Sequence, residues 1–222
     1  MSKFLNELEA KELLSAYGIP MASSQLAKTK EEAGKMAKET GFPVVMKVLS
    51  ADIQHKTDAG CVFIGVKTQE EAESVFETIL EHAHTYNPKA VIDGVLIQEM
   101  APAGLEVIVG MKKDPQFGPV ILVGSGGIFV EVFQDVSMRL VPLTPQDAKE
   151  MLQETKLYQM IQGARGAVYD EVVLVDILLK VSELLRQRPD IEELDINPLF
   201  LYEKGKGAKG VDALIRLGDK TK

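Results

Sequence analysis

The sequence predicts an α+β fold with a largely antiparallel sheet, and three observations carry that expectation. Helical and strand-like stretches are mixed without a strict strand–helix–strand repeat. The middle of the chain, residues 91–133, is a succession of short apolar runs joined by turns that contain Gly and Pro. The chain closes on two more such runs, 194–202 and 211–217, which read as a hairpin. With 222 residues and no evident internal repeat or interdomain linker, the chain can bury a sizeable core as one large domain or two small lobes.

Residues 6–17, with Leu5 just before them, carry Leu5, Leu8, Leu13, Leu14 and Tyr17 near one face and place Glu7 and Lys11 at i,i+4. They stop before Gly18 and Pro20, the pattern of a surface helix. After a short apolar segment at 25–27, Thr29 and Glu32 form a T-x-x-E capping box that opens a second helix, ended by Gly41. Residues 43–48 are an apolar, β-branched run with Lys47 inside it. A polar loop, 50–60, follows and holds His55, Lys56, Thr57 and Asp58, and then comes a strand at 62–66. The loop's small and polar residues predict little apolar packing and a mobile connection. Thr68 and Glu71 make another capping box, and Ala72, Val75, Phe76, Ile79, Leu80 and Ala83 then recur at helical spacing. His82 and His84 lie two apart near the end of that helix, on different sides of it, and read as solvated histidines rather than shared metal ligands. Strands are expected at 91–100, 105–111, 120–123 and 128–133. Thr144, Pro145 and Asp147 open a short helix, and Asp170 opens a longer one that ends at Pro189.

Composition narrows the function classes. Apolar residues make up 45% and charged residues 26%, and no apolar run is long enough to cross a bilayer, so no membrane association is expected. The first residues mix acids and bases, unlike a secretory or transit peptide, and a cytoplasmic location is expected. Cys61 is the only cysteine, which excludes an intrachain disulfide and a thiolate metal cage. The net charge of −8 argues against a nucleic-acid partner. The one basic run, 204–209, is glycine-rich and reads as an exposed hairpin tip.

Three stretches could carry chemistry. Lys47 sits inside a strand that otherwise reads as buried. Its ammonium must therefore snorkel, lose its proton or meet an anion, and a phosphate is one suitable anion. Gly124-Ser-Gly-Gly127 lacks the helix that a dinucleotide fingerprint needs directly after its glycines; strand-like alternation follows instead, so the glycines make a tight turn or let a backbone approach a ligand. In LDINPL, Asp195 and Asn197 point to one side of their strand, and a hairpin partner can bring Asp212 alongside. Such oxygen donors, completed by phosphates and waters, suit Mg²⁺, but they equally suit a hairpin of Asx turns, and spacing alone does not choose. Glu99 and Met100 end a strand near Glu106, where backbone groups could meet a purine edge and a carboxylate could meet ribose hydroxyls.

Taken in order, PVVMK, HKTDAG, QEM with Glu106, GSGGIFVE, DVSMRLVPL, and LDINPL followed by VDALI resemble the nucleotide-binding subunit of ADP-forming acyl-CoA synthetases. They are more distantly similar to the β subunit of succinyl-CoA synthetase. The resemblance implies an ATP-grasp fold, one domain over residues 1–222 with lobes at about 1–98 and 99–217 and the nucleotide bound between them. It also implies the reaction acyl-CoA + ADP + phosphate ⇌ carboxylic acid + CoA + ATP, with ATP/ADP and Mg²⁺ as cofactors. By the same resemblance Lys47 contacts the phosphates, Glu99 and Met100 meet the adenine, Glu106 meets the ribose, and Asn197 and Asp212 hold Mg²⁺. His55 becomes a transient phosphoryl carrier, with Lys56 offsetting phosphate charge, Asp58 orienting the ring, Gly60 in the loop that closes over the phosphates, and Arg139 among the catalytic groups. The family usually has two glycines where this chain has Gly60-Cys61. CoA-binding and flavodoxin-like domains lie outside this chain, so a CoA-binding α subunit carrying a phosphohistidine is implied, in an (αβ)₂ assembly. Two other readings are a stand-alone ATP-grasp ligase, for whose second-substrate pocket only Arg139, Arg165 and Glu131 offer themselves, and a non-catalytic nucleotide-sensing module.

Overall fold

The computed structural model describes residues 3–53, 55–127, 135–164 and 166–218. The chain divides into two compact units, Ala22–Met100 and Met1–Met21 with Ala101–Lys222. The first 21 residues, expected in the first lobe, therefore belong with the second. The cause is a short strand, β1 (Lys3–Phe4), that pairs antiparallel with the last strand, β11 (Ala213–Leu217).

In the unit Ala22–Met100, β2 (Ser24–Ala27), β3 (Val44–Leu49), β4 (Val62–Val66) and β5 (Gly94–Glu99) form a four-stranded sheet in the order β2-β5-β3-β4. Helices α2 (Lys30–Thr40) and α3 (Gln69–Tyr86) pack against it. Val44, Met46 and Val48 alternate into the core with Val95, Ile97, Phe76 and Ile79, as period-two strands laid against an amphipathic helix require. Thr29 and Thr68 cap their helices as expected, each accepting from the backbone three residues on. The glutamates of the two boxes reach one residue further back than the motif predicts: Glu32 accepts from the Lys28 N–H at 2.7 Å and Glu71 from the Lys67 N–H at 2.7 Å.

The other unit is built on a seven-stranded sheet in the order β1-β11-β9-β6-β7-β8, with β10 also paired to β9. Its remaining strands are β6 (Leu105–Asp114), β7 (Gly118–Ser125), β8 (Val136–Leu140), β9 (Ile191–Leu201) and β10 (Ala208–Gly210). Every strand pairing in both sheets is antiparallel. Helices α1 (Glu7–Ala16), α4 (Pro145–Gln153), α5 (Lys156–Ile161) and α6 (Glu171–Gln187) bury Leu14, Met151, Ile161, Leu178 and Val181 with Val107, Val109, Leu194 and Ile196. Alternation along β6 and β9 leaves Glu106, Ile108, Asp195 and Asn197 on the opposite face. The Glu7–Lys11 pair, expected on a surface helix, is a buried ion pair at 3.0 Å.

Several elements lay beyond the sequence reading: β1, β8, β10 and α5. The expected final hairpin is interrupted, because β10 pairs with Leu199–Leu201 and β11 with the earlier part of β9, the two lying end to end along one edge. The expected strand at 128–133, with Glu131, and Arg165 lie outside the described residues. Among the described residues no helix is long and apolar enough to cross a membrane.

Candidate active site

In the unit Ala22–Met100, Lys47 stands in the middle of β3 with Val62 on one side and Leu96 on the other, and only 5% of it is exposed. Its alternation with Val44, Met46 and Val48 sends it to the face away from α2 and α3. The β3–β4 connection is anchored more firmly than its composition predicts. Ile53 is fully buried, Ala59 nearly so, and both join the core. At the first foot the Ser50 hydroxyl donates to the Val91 carbonyl at 2.7 Å and Asp52 accepts from the Val91 N–H at 2.8 Å. This clasp, together with the Asp93 N–H to the Leu49 carbonyl, occupies the residues that were expected to begin β5.

The second foot is a helical turn closed by a Schellman motif: the Cys61 N–H donates to the Lys56 carbonyl at 2.8 Å and the Gly60 N–H to the Thr57 carbonyl at 3.0 Å. Gly60 takes the positive φ of 64° that this turn needs. Cys61 needs no such freedom. Its side chain is fully buried in the core, and that burial pushes the thiol above its ordinary pKa. The departure from the family's two glycines thus falls on the residue that can bear a side chain. Between the two feet His55, Thr57 and Asp58 are exposed and Lys56 is half-buried. At the end of β5 the Glu99 carboxylate accepts from the Ser23 N–H at 2.9 Å, and Met100 beside it is exposed.

In the other unit, Asn197 and Asp212 are brought together: the Asn197 N–H, in β9, donates at 3.3 Å to the carbonyl of Asp212, the residue before β11. The pairing of Asp195 with Leu214 follows two residues along. Burial raises the Asp195 carboxyl first, and the Asp212 and Glu193 carboxylates add to it, pushing it up to about 6. A carboxylate-rich edge with an amide oxygen is an oxygen-only donor set of the kind Mg²⁺ takes with phosphates and waters. Among the described residues no three acidic, His or Cys side chains converge as a metal cage, so a cation there would need donors from its ligand as well. Asp195 also lines a hollow of about 610 Å³ with Ile108, Lys112, Leu122, Met138 and Leu214 on the face of the sheet away from the helices.

Glu106 is exposed in β6, and Gly126-Gly127 lie directly over it. The Gly126 N–H donates to the Glu106 carbonyl at 2.8 Å, and a Cβ on Gly127 would stand 2.7 Å from the Glu106 carboxylate. These glycines make room for the neighbouring strand, since a Cβ on Gly126 would also press on the Glu106 backbone at 3.0 Å. Arg139, in β8, is engaged by the Glu154 carboxylate through both terminal nitrogens, which raises the guanidinium pKa further and lowers that of Glu154. Ser125 and the N–H groups of Lys156 and Leu157 all bind Asp135, which ties β7 to the start of α5. One residue that the sequence reading set aside takes part as well. His82 on α3 is 2.7 Å through Nδ1 from the Gly60 carbonyl and stacks on Phe63 with ring centroids 6.2 Å apart.

The raised Asp195 carboxyl has a consequence for stability. An unfolded aspartate titrates near 3.8 and the folded one at about 6, so folded protein holds the proton more tightly between those values. Ionised Asp195 therefore weakens the fold above about pH 6, and the penalty fades as pH falls toward 4. With a chelator present, Asp195→Asn is expected to gain up to about 3 kcal/mol at pH 8, with about a third of that remaining at pH 4.5. Denaturant melts at the two pH values check this. An equal gain at both, or a loss at pH 8, contradicts it.

An antiparallel sheet unit with an acidic, amide-bearing edge, joined to a small sheet unit with a buried strand lysine, is the architecture of an ATP-grasp protein. The ATP-grasp domain family matches residues 1–217. The β subunit of the ADP-forming acetate–CoA ligase I of Pyrococcus furiosus is 50% identical over 96% of this chain and 91% of that protein. A crystal structure from Pyrococcus horikoshii superposes with a TM-score of 0.94 at 48% identity, covering 98% of this chain and 92% of that one. The dinucleotide-forming acetyl-coenzyme A synthetase 1 of Ca. Korarchaeum cryptofilum, with coenzyme A, Mg-AMPPCP and its phosphohistidine segment pointing towards the nucleotide-binding site, superposes with a TM-score of 0.85. It is 40% identical over 97% of this chain and 93% of that one. The chain belongs to the β-subunit family of ADP-forming acetate–CoA ligases.

Proposed function

We propose that this chain is the nucleotide-handling subunit of an ADP-forming acyl-CoA synthetase, and that His55 passes a phosphoryl group between ADP and a phosphohistidine on a CoA-binding α subunit. The observation that carries the reading is the placement of His55. It is exposed at the crest of a connection pinned at both feet, directly after the strand that buries Lys47. Support comes from the relatives named as β subunits and from the Korarchaeum complex described above.

A neutral imidazole nitrogen of His55 attacks the γ-phosphorus of ATP. The N–P bond forms, the P–O bond to ADP breaks, and ADP leaves with the electron pair; in the direction of ATP synthesis the same bonds are exchanged in reverse. Lys47 supplies a fixed ammonium to the nucleotide phosphates, Lys56 offsets charge on the phosphorylated ring, and Asp58 orients that ring. The Glu99 carbonyl and the Met100 backbone read the adenine edge, and Glu106 accepts from the ribose. Asn197 and Asp212 would hold Mg²⁺, which when bound spreads charge over the non-bridging phosphate oxygens. With its guanidinium on Glu154, Arg139 serves by holding β8 to the end of α4 rather than by touching phosphate.

The chain works with its partner in an (αβ)₂ assembly in the cytoplasm. The test is ATP formation from ADP, phosphate and a set of acyl-CoAs by the purified chain, alone and with the partner subunit. None is expected alone and robust turnover with the partner. Robust turnover by the isolated chain would overturn the assignment.

A further inference from the structure

We infer that His82 is a positioning residue for the loop that carries His55. This rests on the carrier reading of His55 above. The Gly60 carbonyl belongs to the residue that closes the Schellman turn, and only one side chain is hydrogen-bonded to it among the described contacts: Nδ1 of His82, at 2.7 Å. A carbonyl only accepts, so Nδ1 carries the proton and donates, and it does so whether or not Nε2 is also protonated. The ring is held in that orientation by its stacking on Phe63, the second residue of β4. His82 therefore ties three things together: α3, the strand that leaves the loop, and the carbonyl at the loop's second foot.

The lever is short. Gly60 lies five residues from His55, and the turn between them is rigidified by the bonds from Ala59 N–H to the His55 carbonyl and from Cys61 N–H to the Lys56 carbonyl. A shift of the Gly60 carbonyl is passed along this hydrogen-bonded turn to the His55 backbone itself. Holding a nucleophile near its attack position is a large part of phosphoryl-transfer catalysis, and a small misplacement is expressed in rate rather than in nucleotide affinity. The fold has less need of the contact, because Ile53, Ala59 and Cys61 already bury the ends of the loop and His82 itself is exposed.

The test uses the reconstituted enzyme with its partner subunit, Mg²⁺ and γ-³²P-ATP, and measures by rapid quench the rate at which His55 is labelled. Asn at position 82 places an amide N–H the same number of bonds from the backbone as Nδ1, whereas Asp at that position offers only acceptors. His82→Ala and His82→Asp are expected to label His55 about three- to tenfold more slowly, with the ATP concentration for half-maximal rate unchanged within twofold. His82→Asn is expected to restore the rate to within twofold of wild type, and melting temperatures should not follow the rates. A wild-type labelling rate in His82→Ala overturns this inference alone. A slow rate that His82→Asn does not restore, or that tracks a fall in melting temperature, overturns it as well by making His82 a fold support. Absence of label on His55 in the wild-type enzyme overturns the carrier reading, and this inference with it.

Discussion

His55→Ala is expected to abolish ATP synthesis by the reconstituted enzyme and to remove acid-labile ³²P from this chain, while the chain still folds and still binds ADP. The size of the effect follows from the role. A residue that becomes covalently attached to the transferred group has no substitute in a methyl group, so activity should fall to background rather than to a fraction. The structure separates this from a folding defect. The His55 side chain is exposed, and what the turn uses is the His55 carbonyl, which accepts from the Ala59 N–H at 3.0 Å and is kept in the alanine variant. Ile53 and Cys61 continue to bury the ends of the loop. Stability should therefore move by no more than about 0.5 kcal/mol, as for other exposed substitutions. Label that appears only on the partner subunit, or full ATP synthesis by the variant, would sink the carrier role.

How much of this was legible beforehand depended on the range of the interactions. The helix of Gln69–Tyr86 was plain because its cap and its apolar face are written within eighteen residues. The meeting of Asn197 with Asp212 could be anticipated because Asn197 stands on β9 and Asp212 directly precedes β11, and the buried neighbours on those strands fix the face by alternation. β8 carries the same alternation, with Ser137 and Arg139 on one side and Met138 and Leu140 on the other, yet it was read only as a motif, since five residues at a sheet edge give a weak period. The anchoring of the His55 loop is hidden from composition because only Ile53, Ala59 and Cys61 do the burying, inside a stretch that is otherwise mostly polar. The bond from His82 to Gly60 spans 22 residues and joins a helix face to a loop carbonyl, a contact that no spacing rule encodes. The long-range bonds of Asp135, which reach 21 and 22 residues ahead to start α5, are hidden in the same way. Local periodicity and capping thus gave the elements, while the groups that hold the loop and the sheet edge in place depended on tertiary contacts.

The second large effect is expected at Asp212, and its signature is a pair of opposite changes. Asp212→Asn should cut turnover of the reconstituted enzyme by more than about a hundredfold, because it removes the only carboxylate of the proposed Mg²⁺ pair and a bound metal supplies several kcal/mol of charge stabilisation to the transition state. The same substitution should not weaken the fold. The Asp212 carboxylate is one of the charges that push the Asp195 carboxyl up to about 6, so replacing it with a neutral amide relieves that repulsion. The bond from the Asn197 N–H to the backbone carbonyl of residue 212 is independent of the side chain and survives. In a chelator at pH 8, where both aspartates repel one another, the variant should melt at or above the wild-type temperature. Excess Mg²⁺ should restore little of the lost rate, since an amide oxygen is a poor replacement for a carboxylate toward a hard cation. Normal turnover at limiting Mg²⁺ would remove Asp212 from the metal site. A loss of activity that came with a lower melting temperature in the chelator would reassign it to holding β9 and β11 together.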